Sequence, residues 1–322
     1  MRQKKTLHTA LQSLSKQKAV ILILLLVVIM LIFQRSFFRI NNLLQIFNSV
    51  SVNMILAAGV TVVIICGGCD LSIGNVLGLT GILTIFMYNS GVPSVLAILI
   101  AAVIGAVIGF VNGFFVVHQK TEPFIITLGT GMVIKGISQT ITDAQPVPAK
   151  DLEFLEIANG KLFGIIPNMA VYMLVVLVVL HLVLRRTQYG RNCFAVGGDY
   201  DVAEYAGIHA ERVKWIAFVI SGITAGLGGA LNSSLLNTGN CTYGDTVPLL
   251  VQCGAVIGGT SLLGGIGGIP QTFVGLISLT VLQNCMNMLG ISVLLQDLAK
   301  GLVIVFILWT DYYIKKRKVE AV

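Results

Sequence analysis

The residues of this sequence most able to do chemistry are few and far apart. Asp70 follows an apolar run, Val60 to Cys66, and precedes a long glycine-rich stretch. A carboxylate among such neighbours at membrane depth costs about 2.5–3.5 kcal/mol on insertion scales, so it turns toward protein or a water cavity. Two compatible roles suit it: a pathway or hinge residue, and a helix cap bonding the amides of Ser72 or Ile73. Cys66-x-x-Cys69 has redox or metal spacing, but no second pair or nearby His supports a metal site. The neutral polar residues Asn75, Asn112, Thr127, Asn232, Ser233, Ser234, Gln283, Asn284 and Asn287 lie within apolar segments. They donate and accept hydrogen bonds without charge, which suits a neutral polyol better than an ion; each also suits interhelical glue. Asp70, Ser72, Asn75, Asn112, Thr127 and Asn284 are the candidate pathway set. The four His are scattered, and no G-x-x-x-x-G-K-[ST], G-x-S-x-G or H-E-x-x-H motif occurs, so neither ATP binding by that loop nor those hydrolytic chemistries are expected. No cofactor is expected. Proton relays need intramembrane acid or His chains, and the deep segments offer only Asp70.

The elements that must position these residues are helices in lipid. The 322 residues are 56% hydrophobic and 11% charged, with mean hydropathy +0.90. A soluble domain carries about 25% charge and about 45–50% apolar residues. Ten segments approach the roughly 20 apolar residues that a spanning helix needs: 19–39, 46–66, 70–88, 93–117, 122–141, 167–184, 213–236, 248–263, 266–289 and 292–313. The first reads as an uncleaved signal anchor, since no small-x-small cleavage site follows it. The net charge of +7 is gathered at the N-terminus (1–18), around 185–212 and in the tail 314–322. With the N-terminus cytoplasmic, ten crossings put all three basic clusters inside and the acidic 142–166 loop outside, as the positive-inside rule requires. Nine or eleven would strand one cluster; eight keeps parity if two glycine-rich segments are re-entrant. Anionic lipid, rather than nucleic acid, is the expected neighbour of these clusters. The outer loop is read either as a solvated linker or as a docking surface for an external partner.

Glycine is abundant, with 35 residues. Gly105-xxx-Gly109-xxx-Gly113 and Gly222-xxx-Gly226 set small residues on one helix face, as close helix packing requires. Gly67–Gly74 and Gly258–Gly265 loosely repeat one another, one in each half of the chain, as in transporters with broken helices. Asp297 and Lys300 are spaced for a structural ion pair.

The most informative soluble piece is Asp199 to Ile208. Asp199 is suited to cap a helix, Asp201 to its positive end and Gly207 to terminate it. Val202, Tyr205 and Ala206 then share one face. A two-turn helix is too short to be stable alone, so it must dock into something.

Four ordered segments resemble the ribose-type sugar permeases of ABC importers, which are related to branched-chain amino-acid permeases. Gly67 to Gly74 resembles GG-x-D-L-S-x-G. Asn112-Gly113, Pro123 to Thr130 and Lys135-Gly136 resemble NG…PFI-x-TLGT…RG, with Lys for Arg. Tyr189-Gly190-Arg191 through Gly207-Ile208 resembles the family's cytoplasmic loop, and Ile257 to Gly265 its GGTSL-x-GG. The resemblance implies an all-α polytopic membrane protein of the type II importer fold, with about ten helices and broken or re-entrant glycine-rich segments. It implies a homodimer or heterodimer of permeases, two ABC ATPase subunits and an external solute-binding protein, in a bacterial inner membrane with both termini cytoplasmic. The short helix becomes the coupling helix, with Asp199, Asp201, Val202, Ala203, Glu204, Tyr205 and Gly207 facing or shaping the ATPase contact. The substrate implied is a monosaccharide; a nucleoside, a sugar-like signal, a branched-chain amino acid, or a self-sufficient carrier are the alternatives. The sequence departs at Val247 to Leu250, where the family has acids, at Gln252, which falls on a usually apolar position, and at Asp199-Tyr200-Asp201, where N-E-E is common.

Overall fold

The computed structural model describes residues 18–292, 294–296, 298–303, 305 and 309. The basic stretch 1–17, the tail 314–322 and Asp297 of the expected ion pair lie outside the described residues.

The chain opens with α1 (Lys18–Phe33), a 3₁₀ turn (Arg35–Phe38) and α2 (Ile40–Ile65). After a break come α3 (Ile73–Asn89), α4 (Ser94–His118) and α5 (Pro123–Thr142). The connection that follows holds β1 (Val147–Pro148), the short α6 (Glu153–Asn159), β2 (Lys161–Leu162) and β3 (Ile166–Pro167). Then come α7 (Asn168–Arg186), α8 (Gln188–Gly198), α9 (Tyr200–Tyr205) and α10 (Ala210–Leu236). The last are β4 (Thr238–Gly239), α11 (Val247–Ile257) and α12 (Ile269–Met288); the described residues from 294 to 309 are helical. The only strands among the described residues are two small antiparallel pairs, Val147 with Gly239 and Lys161 with Pro167.

Among the described helices, α2, α4, α5, α7 and α10 are long and apolar enough to cross a membrane. The 26 residues of α2 make about 39 Å of helix at 1.5 Å per residue, more than the ~30 Å hydrocarbon core. This helix is the centre of the bundle and is buried almost throughout from Val50 to Ile65. The outer helices bury only a stripe. On α4 the stripe is Ala97, Ala101, Gly105, Gly109 and Gly113, and its carbonyls and glycines meet Gly222 and Gly226 of α10. A Cβ at Gly105 would collide with the Gly222 carbonyl, and one at Gly226 with the Ala101 carbonyl. The expected four-residue glycine spacing is therefore a helix seam, in which small residues replace the hydrophobic drive that lipid removes.

Contacts sort the connections onto two ends. At one end Gly67, Lys120, Glu122, Tyr200 and Lys214 line a common cavity. At the other, the Asn89 amide donates to the Pro148 carbonyl at 3.0 Å and the Asn237 amide to the Asp151 carbonyl at 3.0 Å. The 142–166 connection is folded rather than loose. Phe154 is fully buried with its ring centroid 4.7 Å from that of Tyr88, and the Ser234 hydroxyl donates to the Phe154 carbonyl at 2.6 Å.

Several segments differ from the sequence expectation: the helix expected over 19–39 ends at Phe33, and the one expected from 46 begins at Ile40. The helix expected at 70–88 begins at Ile73, because Cys66 to Ser72 forms a break. The helix expected over 248–263 stops at Ile257. Eleven residues give about 16 Å, half a crossing. The non-helical stretch ahead of it lies along α3, with Gly244 against Gly74, Cys241 against Gly78 and Gly239 against Ile82. Glycines on α3 thus make room for backbone that hydropathy assigns to a loop.

Candidate functional site

The end that carries 187–209 is a built platform. Thr187 caps α8, its hydroxyl accepting from the Gly190 amide at 3.2 Å. Asp199 caps α9, its Oδ1 accepting from the Val202 amide at 3.0 Å. Gly207 stops α9 at φ +82°, a conformation that glycine adopts without steric cost. The Gly207 and Ile208 amides close the turn on the Glu204 and Ala203 carbonyls at 2.9 and 3.0 Å. Ala203 is buried, whereas Val202 is 62% and Tyr205 91% exposed. Asp201, Glu204 and Ala206 are exposed beside them. On the inner side the Lys214 ammonium lies 5.0 Å from the Tyr200 ring centroid. Helix α8 was not expected. Its signals were the Thr187 cap and the burial-bearing spacing Cys193, Val196.

Beneath the platform the two glycine-rich runs meet. The Gly265 amide donates to the Ile65 carbonyl, the last of α2, at 2.9 Å. A Cβ on Gly197 of α8 would collide with that same carbonyl, and one on Gly264 would crowd both Gly197 and Gly67. The likeness of the two runs thus has a spatial counterpart: the start of the first meets the end of the second, and the second lies against α8.

Beyond Gly67 the break turns into the bundle and is fixed by a closed polar knot. Asp70 is buried; its Oδ1 accepts from the Ser72 amide at 3.0 Å and the Ser72 hydroxyl at 2.7 Å, and its Oδ2 accepts from the Ser221 hydroxyl at 2.7 Å. Asp70 therefore caps the start of α3 through Ser72 and also ties it to mid-α10. The Asn112 amide donates to the Ser72 hydroxyl at 2.9 Å, and the Leu71 amide to the Thr127 hydroxyl at 3.1 Å. Asn75 packs on Gly131 of α5. Gln252, where the sequence departs from the family pattern, donates to the Asp70 carbonyl at 3.3 Å and accepts from the Cys69 thiol at 3.2 Å. Cys69 is thus engaged by an amide, and all six cysteines are free thiols.

The structure brings together Asp70, Ser72, Asn75, Asn112 and Thr127 and leaves Asn284 elsewhere. Asn284 exchanges two side-chain hydrogen bonds with Asn42, at 3.0 and 3.1 Å. It borders a cavity of about 280 Å³ between α2 and α12 that includes Gln45, Ser49 and Asn53. These three escaped the sequence analysis, although their i, i+4, i+8 spacing in an apolar helix was the signal. A second addition concerns charge. Lys135, two-thirds along α5, makes a 2.8 Å ion pair with Asp245 on the stretch before α11. Both side chains are partly exposed, so the pair lies at the bundle's surface, and Asp70 is the one fully buried carboxylate among the described residues.

A family model described as "Branched-chain amino acid transport system / permease component" matches residues 42–308. The chain belongs to this family. Its relatives include the ribose import permease protein RbsC of Bacillus subtilis (strain 168), 38% identical over 87% of each chain. RbsC of Haemophilus influenzae (strain Rd) is 34% identical over 95% of each. The D-allose transport system permease protein AlsC of Escherichia coli (strain K12) is 32% identical over 87% of this chain and 86% of its own. No solved structure matches. The permease is a multi-pass, all-α membrane protein and a transport component rather than an enzyme. The matched region takes in both glycine-rich runs, the knot and the platform.

Proposed function

We propose that this permease imports a monosaccharide across a bacterial cytoplasmic membrane, driven by a separate ABC ATPase and supplied by an external solute-binding protein. The relatives named for ribose and D-allose support the substrate class. The observation that carries the mechanism is α9: a capped two-turn helix with Val202 and Tyr205 turned outward and Ala203 buried, joined directly to α8, whose Gly197 meets the Ile65 carbonyl at the end of α2. A helix this short is not stable alone, and its exposed apolar face suits a cleft on a motor protein. In this scheme Asp199 and Gly207 shape the helix, Ala203 anchors it, and Asp201, Val202, Glu204 and Tyr205 meet the ATPase. The platform end, both termini and the basic clusters then face the cytoplasm, and the 142–166 connection meets the binding protein outside. Two permease copies, alike or different, enclose the path.

Chemical steps are absent from this chain's part in the cycle. ATP-driven closure of the motor moves α9 and α8; Gly197 transmits the motion to Ile65 and Gly265, and the bundle reorients. The Asp70 knot holds α3, α4 and α10 together as one body during that motion, a positioning rather than a solute-binding role for Asp70, Ser72, Asn75, Asn112 and Thr127.

The test is reconstitution. Proteoliposomes containing the permease, its ATPase and its binding protein take up labelled D-ribose only with ATP inside. Uptake by the permease alone under an ion gradient would instead establish a self-sufficient carrier.

A further inference from the structure

Helix α2 carries Gln45, Ser49 and Asn53 on one face, spaced i, i+4 and i+8, and these side chains line the cavity between α2 and α12. Facing them, α12 contributes Thr280, Gln283, Asn284 and Asn287, again on one face at i, i+3, i+4 and i+7. The two helices run antiparallel, so Asn42 and Asn284 clasp near the outer end while Asn53 and Thr280 lie deeper. From Asn42 to Asn53 the ladder covers eleven residues, about 16 Å along the helix, or half of the ~30 Å hydrocarbon core.

Four of these side chains are not used as glue. No hydrogen bond joins the side chains of Gln45, Ser49, Asn53 or Gln283 to any described residue. Amides facing lipid without partners are strongly disfavoured, because nothing there replaces their water. They therefore meet water, a polar solute or polar groups of a second permease copy, which the labelling below tells apart. The cavity volume of about 280 Å³ equals the liquid share of roughly nine waters, room for one monosaccharide. Its apolar lining, Ile46, Leu250 and Leu279, gives a sugar ring's C–H face something to lie against. No Asp, Glu, Lys, Arg or His lines it.

We infer that the α2–α12 notch is a station on the translocation path, in which the amides of Asn53 and Gln283 and the hydroxyls of Ser49 and Thr280 exchange hydrogen bonds with an uncharged polyhydroxyl solute. This rests on the import reading above and adds a location and a chemistry to it. Uncharged amides can both donate to and accept from each hydroxyl, so a polyol trades its hydration for equivalent bonds. A zwitterionic amino acid finds no countercharge there. The notch is not the Asp70 knot, whose polar atoms are mostly engaged with one another.

The test uses the full importer in proteoliposomes, with Ser49→Cys, Asn53→Cys and Thr280→Cys made singly. Val103→Cys on the exposed side of α4 is the lipid-facing control, and the unsubstituted permease gives the background of its native thiols. A membrane-impermeant thiol reagent labels the three notch positions at least tenfold faster than Val103→Cys, and excess D-ribose during turnover slows that labelling. Asn53→Leu and Gln283→Leu lower D-ribose uptake at least tenfold, while Asn53→Ser retains more uptake than Asn53→Leu. Labelling as slow as at Val103→Cys overturns the notch, even where the unsubstituted importer transports D-ribose well. Failure of the unsubstituted importer to take up D-ribose overturns the sugar reading instead, and the labelling ratio still decides whether the notch is on the water path.

Discussion

Truncating Tyr205 tests the coupling assignment with little risk of disturbing the fold. The side chain is 91% exposed, and the α9 turn is held by the Asp199 cap and the Gly207 closure, neither of which involves its ring. A tyrosine that docks buries about 150–250 Å². If half of that is apolar surface newly removed from water, about 25 cal/mol per Å² gives about 2–3 kcal/mol, the range of an interface hot spot. At about 1.4 kcal/mol per decade, Tyr205→Ala weakens ATPase binding about 30- to 150-fold. The assay is titration of the purified ATPase onto permease in nanodiscs, with ATP-driven uptake measured in parallel. Thermal stability of the isolated permease stays within 1 °C or so, since a surface change away from packing is worth about ±0.5 kcal/mol at most. Glu204→Ala loses less affinity but likewise lowers uptake per ATP hydrolysed. Unchanged ATPase affinity and unchanged uptake in Tyr205→Ala would refute α9 as the motor contact.

Three further outcomes follow from the packing. Gly105→Val forces the α4–α10 seam apart at the Gly222 carbonyl and costs about 1–3 kcal/mol as overpacking; thermal unfolding in detergent shows it, with Gly129→Ala, which has open space around it, as the neutral control. Ser221→Ala removes the hydroxyl bonded to the buried Asp70 Oδ2 and destabilises by about 1–3 kcal/mol or more, read in the same experiment. On the 142–166 connection, the hydrogen bond from the Tyr88 hydroxyl holds the Asp151 carboxyl below its ordinary range. A depressed folded pKa contributes stability above the unfolded value and loses it as pH falls through the folded one. Amide protection of 153–159, measured relative to the intrinsic exchange rate at each pH, is therefore flat down to about pH 4 and falls below it, and Tyr88→Phe removes that step.

Most of the architecture was legible because lipid imposes a plain rule: each crossing needs an apolar helix of sufficient length. That rule finds α2, α4, α5, α7 and α10 within a few residues. It fails at 237–257, where a turn-rich stretch with one two-residue strand precedes the eleven-residue α11. Hydropathy cannot see that glycines on α3 accept that backbone, since the enabling residues lie more than 150 positions earlier. The α9 helix was legible because capping is local, with Asp199 and Gly207 both inside the segment. The pathway set was legible only in part. Residue type marks Asp70, Ser72, Asn112 and Thr127 as costly to bury, but whether their partners are solute or protein is a tertiary fact. Here Asp70 accepts from Ser72 and Ser221, Asn112 donates to Ser72, and Thr127 accepts from the Leu71 amide, while the Asn112 Oδ1 is buried without a hydrogen-bond partner. Gln45, Ser49 and Asn53 look ordinary one at a time, and only the facing α12 residues give them meaning.

In the proposed cycle, the placement of α8 gives a small motion at the platform a route to the inferred notch. A wedge transmits displacement only where the contact is backbone against backbone, because side chains can adjust and backbone in a packed bundle cannot. Gly197 provides such a contact: its missing side chain lets α8 touch the Ile65 carbonyl directly, at the atom that also accepts from Gly265. Ile65 is the last residue of α2, the same helix whose N-terminal half carries Gln45, Ser49 and Asn53. Gly265 precedes α12, which carries the opposite wall of the notch. A shift of α8 therefore acts at one point on the ends of both helices that form the cavity. Moving two antiparallel helices at their common base changes the gap between them. The buried hydroxyl pair Thr61–Thr272 at 2.8 Å joins the two helices between that base and the notch and gives the motion a pivot. Coupling of this kind needs no charge relay and no ion, which accords with a cavity whose polar lining is amides and hydroxyls, without a charged side chain.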